Sequence, residues 1–195
     1  MKRFAAFAVP ALLGAGFVTA VGLRAAAPDA PRPVRLADQT VKTAVATVGP
    51  SKASSTQPSQ GQVKGTVTFE QGDSDVKVTV DLTGFPPNTE HGFHIHQKGD
   101  LSAPDLSSAG GHFNPGHKHH GGPDSAEHHA GDMGNLTSDA QGNVKLEITL
   151  KDISLNGENG ILGKSVIIHA KADDLKSDPA GNSGPRIAGG VIEAK

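Results

Sequence analysis

The chain has 195 residues, with 18 Lys and Arg against 20 Asp and Glu, for a formal net charge of −2. That length suits one domain of ordinary size, and the missing basic excess argues against a nucleic-acid binder. The absence of cysteine excludes disulfides, thiolate metal sites and cysteine nucleophiles, while ten histidines form the opposite anomaly. In chain order, Lys2 and Arg3 precede an apolar run from Phe4 to Leu23, the pattern of a secretory signal peptide over about residues 1–27. The rival is an uncleaved membrane anchor, since about 20 apolar residues can span a bilayer. Pro10 and the Gly and Ala content weigh against it. Export predicts a periplasmic or secreted protein with no membrane attachment after cleavage. Residues 28–40 read as a Pro-rich tether, leaving 41–195 as the domain, with Pro50 to Gln62 a flexible loop between strands.

Period-2 alternation dominates the domain itself. Val63, Gly65, Val67 and Phe69 share one face, as do Val76, Val78, Val80 and Leu82, and then Val144, Leu146, Ile148 and Leu150. Gly-rich turns separate these runs, and shorter strand candidates lie near 41–48, 91–97, 133–137, 164–169 and 187–193. About eight short strands with no amphipathic helix predict an all-β fold, an eight-stranded antiparallel Greek-key barrel or sandwich.

Residues 98–131 break the pattern: the stretch is rich in Gly, Pro, His, Asn and Asp and nearly empty of large apolar side chains. Structureless loops of this length are usually functional or disordered, so something other than an apolar face must hold this one. Nine of the ten histidines fall between His91 and His129. In HGFHIH, strand alternation puts His94 and His96 on one face and sends Phe93 and Ile95 to the core. Two imidazoles side by side on a strand are either half a metal site or a pair of surface histidines. The loop adds His112, His120, His129 and then Asp132, an N/O set that fits a closed tetrahedral zinc site. Taken alone, His169 is a capped or solvated strand end, and Arg186 is a surface arginine.

Six segments in order, HGFHIH (91–96), SAGGHFNP (108–115), HGGP (120–123), HHAGDMGN (128–135), GKSVIIHAKADDL (163–175) and GNSGPRIAGGVI (181–192), closely resemble the copper/zinc superoxide dismutase family. The resemblance implies a cysteine-free, secreted, bacterial-type member whose barrel carries a long metal-binding loop. It implies copper held by His94, His96, His112 and His169, and zinc held by His112, His120, His129 and Asp132, with His112 bridging the two. Asp173 would link a copper histidine to a zinc histidine, and Arg186 would lie beside the open copper position. The implied activity is disproportionation of superoxide to dioxygen and hydrogen peroxide, with Arg186 and His112 as catalytic residues and His112 carrying a proton. Superoxide is then the substrate, and a homodimer is among the assemblies the family allows. A non-enzymatic copper- or zinc-binding domain of the same fold is the alternative. The family's loop-pinning disulfide is replaced by Leu106 and Gly189, which leaves zinc as the expected clamp on the loop. His117, His119 and His128 have no family counterpart and read as solvated, with extra metal capture as the minority reading.

Overall fold

The computed structural model describes residues 40–56 and 62–195. The expected signal peptide and nearly all of the expected tether lie outside these residues. Eight strands run in order: β1 (Thr43–Pro50), β2 (Lys64–Gln71), β3 (Val76–Thr83), β4 (Glu90–His96), β5 (Asp132–Thr137), β6 (Val144–Leu150), β7 (Ser165–His169) and β8 (Arg186–Ala194). All pair antiparallel in the order β5-β4-β7-β8-β1-β2-β3-β6. The two end strands, β5 and β6, approach each other and nearly close a barrel. Each strand expected from alternation is present. The chain steps from β3 across to β4 and β5 before returning to β6 beside β3, the crossing of a Greek key.

Alternation translates directly into burial on β3, where Val76, Val78, Val80 and Leu82 are all inside. β6 departs from this. Val144 and Leu150 are buried, but Leu146 and Ile148 are only half-buried, because this strand borders the nearly closed seam.

β4 and β7 are buried on both faces. Phe93, Ile95, Val166 and Ile168 point into the barrel core, while the outward faces lie beneath the long loop. There Ile167 packs with Leu106 and Ala109 in a second, smaller cluster flanked by Leu101. The loop is therefore not devoid of an apolar anchor, contrary to expectation for its first part. Glycine at 189 makes the packing close: a Cβ there would stand 3.3 Å from Leu106 Cδ1 and 2.9 Å from Ile167 Cδ1. At the two positions where the resemblance would place a disulfide, a leucine is thus seated against a glycine. Leu106→Ala should cost about 2–4 kcal/mol, read as a lower midpoint in urea unfolding; an unchanged midpoint would show that the cluster does not hold the loop.

The flexible loop expected over Pro50 to Gln62 needs correction in its described part. Ser54–Thr56 forms a 3-10 turn, and Ser51 and Ser54 are buried. The Ser54 hydroxyl donates to Ile187 O at 2.6 Å, and Ala53 N donates to Pro104 O at 2.9 Å. Polar composition suggested mobility, but these groups satisfy a buried backbone carbonyl of β8 and tie the turn to the long loop. Residues 57–61 lie outside the described set.

Candidate metal centre

His94 and His96 leave β4 on the face away from the core, and His169 ends the neighbouring β7. The loop returns to this face through a bridge pairing His112 with His96. Phe113 N donates to Ile95 O, Gly131 N to Phe113 O, and Ile95 N to Gly131 O, at 2.8–2.9 Å. Gly131 must be glycine, since a Cβ would fall 2.4 Å from Ile95 O. The loop's two ends are thereby fastened beside the strand that carries the first two imidazoles.

Each copper-side ring has one nitrogen fixed and one free. His96 Nδ1 donates to Gly110 O and His169 Nδ1 to Gly184 O, both at 2.9 Å, while His94 Nε2 donates to Asp173 Oδ2 at 2.8 Å. The opposite atoms, His94 Nδ1, His96 Nε2 and His169 Nε2, are buried without a hydrogen-bond partner, as is His112 Nε2. Buried polar atoms rarely stay unsatisfied. Four residues converging with their donor atoms within 4.8 Å of one another make the arrangement a cation completes. The all-imidazole set suits copper.

The second set is equally tight. Asp132 Oδ1 lies 2.7 Å from His112 Nδ1 and 3.2 Å from His129 Nδ1, and Asp132 Oδ2 lies 3.0 Å from His120 Nδ1. His112 Nδ1 and His129 Nδ1 are 3.3 Å apart. A tetrahedron with metal–ligand bonds of about 2.0–2.1 Å has edges of about 3.3 Å, so these donors surround a space of zinc size once the 2.7 Å His112–Asp132 contact opens. Asp132 is oriented for this by backbone amides, with Oδ2 accepting from His129 N at 2.8 Å and Gly121 N at 3.2 Å. His112 alone belongs to both sets.

A third grouping, His94, His120 and Asp173, is not a further ion site. The Asp173 carboxylate accepts from His94 Nε2 at 2.8 Å and from His120 Nε2 at 2.9 Å, which turns the Nδ1 of each ring toward its own set. Arg186 opens β8 and pairs with His169 across the β7–β8 register. Its guanidinium donates to Leu106 O at 2.5 Å and to Gly110 O at 2.6 Å. All nine residues expected from the sequence are therefore brought to one face of the barrel.

Burial sets the protonation of the metal-free site. It lowers His112 to about 4 and His169 to about 3, and it lowers His94 and His96 as well, so these rings offer free lone pairs at pH 7. His120 goes the other way: burial opposes its charge, but the adjoining Asp132 and Asp173 carboxylates raise it to about 10. Burial also opposes the ionisation of Asp132 and Asp173, yet their histidine partners hold both well below the usual carboxylate range.

These shifts give the metal-free domain a stability maximum. Below pH 6.5 the unfolded chain takes up protons that the buried rings refuse, so stability falls as pH drops from 6.5 toward 3. Above 6.5 the fold retains the His120 proton that the unfolded chain has lost, so stability falls again toward pH 10. Melting temperature should peak near pH 6.5; a Tm still climbing from there to about 9 would contradict the protonated His120.

Sequence reading missed the carbonyls of Gly110 and Gly184, which fix two copper-side rings; backbone acceptors leave no mark in a sequence. It also left His91 without a role. That ring is buried, with Nδ1 at 2.7 Å from His169 O. His117 and His119 are exposed as expected, although His119 Nδ1 contacts Asp178 Oδ2 at 2.6 Å. His128 is not a freely solvated residue: it is half-buried, with Nε2 held 3.0 Å from Asp152 Oδ2. None of these three joins a metal-ligating cluster among the described residues.

A Greek-key barrel bearing two fused donor sets that share one imidazole defines a binuclear metalloprotein. The profile of the family described as copper/zinc superoxide dismutase (SODC) matches residues 63–192. The Cu-Zn superoxide dismutase of Schizosaccharomyces pombe is 50% identical over 139 residues, 67% of this chain and 90% of that one. Its counterpart from Paramecium bursaria Chlorella virus 1 is 44% identical over 139 residues, covering 68% of this chain and 74% of that one. The crystal structure of the clock protein EA4 matches with a TM-score of 0.70 and 40% identity, over 80% of this chain and 96% of that chain. The chain belongs to the copper/zinc superoxide dismutase family.

Proposed function

We infer that the domain disproportionates superoxide, with His94, His96, His112 and His169 holding copper and His112, His120, His129 and Asp132 holding zinc. The observation that carries this reading is the convergence of four unsatisfied, buried imidazole nitrogens next to a complete tetrahedral set. Bound copper supplies a one-electron couple that oxidises one superoxide to dioxygen and reduces a second, which leaves as hydrogen peroxide with two protons. The His112 ring turns Nδ1 toward Asp132 and the zinc set and leaves Nε2 toward the copper set, so with zinc bound Nε2 would be the atom where the ring gives up or takes back a proton on the substrate side. Loading the purified domain with both metals and following superoxide decay tests the reading. Uptake of zinc alone, or full loading without faster decay, would favour the storage or delivery alternative.

Arg186 is proposed to bind and orient the incoming anion. Two of its five N–H donors serve the loop carbonyls, and the remainder are available to superoxide, with a charge that persists at every working pH. A storage domain has no use for such a group. Arg186→Ala should lower the rate by about 10- to 100-fold with copper still bound, and Arg186→Glu further. The nearby segment sets Lys171 and Lys176 against Asp174 and Asp178, so long-range pull is small and the wild-type rate should fall only modestly with added salt. An Arg186→Glu enzyme as fast as wild type at low salt would remove Arg186 from the anion's path. Asp173 is proposed as the residue that orients one imidazole of each set.

Export to the periplasm or exterior is part of the proposal, supported by the basic start and apolar run over residues 1–27, with 28–40 as tether and 41–195 as the functional domain. Assignment to a secreted, bacterial type rests on that pattern and the missing cysteines; the Schizosaccharomyces pombe and Chlorella virus relatives are fungal and viral. N-terminal sequencing of the mature protein decides between cleavage and a retained anchor. A homodimer draws little support from the described surface, where Leu175 is the one large exposed hydrophobic side chain.

A further inference from the structure

Asp173 holds two imidazoles but sits in a poor position to do so unaided. It lies beyond β7 in an irregular stretch, and Leu175 two residues on turns with φ 60°. Its carboxylate accepts three hydrogen bonds: Oδ2 serves His94, and Oδ1 serves both His120 and Leu175 N, the last at 2.6 Å. Neither oxygen meets the Asp173 backbone N or O, which have a separate anchor. That anchor comes from Asn135. The Asn135 Oδ1 accepts from Asp173 N at 2.7 Å, and its Nδ2 donates to Asp173 O at 2.9 Å.

We propose that Asn135 is the positioning residue of the binuclear centre: its amide grips the Asp173 backbone at both N and O and so fixes the His94 and His120 rings. The proposal deepens the dismutase reading and rests on Asp173 orienting those two rings. Asn135 lies on β5, three residues after Asp132 and opposite Gly92 of β4 in the sheet register. The strand that supplies the zinc carboxylate therefore also sets the carboxylate reaching the copper side. Asparagine suits the task because it offers one acceptor and one donor in a planar fork. Aspartate keeps the acceptor but turns a second oxygen on Asp173 O, and alanine has neither group.

The test uses the zinc-loaded protein and two readouts that do not depend on activity. The first is the rate of zinc transfer to a chelator. The second is the solvent exchange of the His94 and His120 Nε2–H protons, followed by NMR beside the Nδ1–H protons of His96 and His169 as internal controls. Asn135→Ala and the isosteric Asn135→Asp should each speed zinc transfer by about 10- to 100-fold, the range typical for loss of a group that orients a ligand. They should also expose the His94 and His120 protons while those of His96 and His169 stay protected. A core variant such as Val78→Ala, buried on β3 and making none of these hydrogen bonds, should lower Tm without either effect. Asp173→Asn separates the two claims. If it accelerates transfer while both Asn135 variants release zinc at the wild-type rate, the grip is refuted and the role of Asp173 stands. If none of the three changes transfer, both are refuted.

Discussion

Replacing His96 with alanine should reduce dismutase activity to the uncatalysed rate while the protein keeps its zinc. The selectivity comes from what the ring touches. His96 Nδ1 is held only by Gly110 O, and no hydrogen bond links the ring to the zinc set. His94 is different, because the Asp173 carboxylate that orients it also orients the zinc ligand His120. His94→Ala should therefore lose activity and also loosen zinc, leaving Asp173 with one imidazole where it had two. Elemental analysis beside a superoxide-decay assay distinguishes the two variants. Residual dismutase activity in His96→Ala would sink the copper assignment, and zinc loss equal to that of His94→Ala would sink the argument about Asp173.

Chelation should lower the melting temperature by about 8–16 °C for each tightly held metal, and reductants should have no effect. A cation present at about 1,000 times its Kd contributes about 4 kcal/mol to the folded state, and a domain of this size moves by about 2–4 °C per kcal/mol. The loss should be uneven. Residues near Leu106 and Ala109 have the Ile167 cluster and the Arg186 guanidinium to hold them without metal. Between Asn114 and Ala130 the chain is held by the zinc donors, by His120 on Asp173, and by the more exposed contacts of His119 with Asp178 and His128 with Asp152. Hydrogen exchange of the chelated domain should show protection kept around Ala109 and lost around His120 and His129. Equal loss across the whole loop would mean that the apolar anchor fails once zinc is gone.

Why some of this was legible in the sequence and some not comes down to the range of the interactions. A strand such as β3 announces itself, because one buried face and one wetter face alternate within eight residues. The pair on β4 is set by the same parity, which sends Phe93 and Ile95 inward and so His94 and His96 out. The set His112, His120, His129 and Asp132 stood out as metal donors in a loop poor in apolar residues, whereas the copper roles of His112 and His169 came from motif resemblance, since no periodicity links them to the β4 pair. The turn at Ser54 was opaque because its reason lies at Ile187, and the burial of Leu106 was opaque because its reason is the missing side chain of Gly189. Asn135 gave no signal either: an asparagine in a strand is unremarkable until the Asp173 backbone is found in its fork.

The pairing of β1 with β8 has a consequence for how the molecule comes into being. The first strand of the barrel waits for the last, so during synthesis β1 and β7 each carry an open edge until the segment from Arg186 to Ala194 arrives. Such non-local closure is slow, and open edges invite strand addition from other chains. Arg186 lies on that late strand, so the group proposed to bind the anion joins the centre only when the barrel closes. A nascent chain stalled before residue 186 would already contain every ligand to both metals, yet be the species in most need of a chaperone.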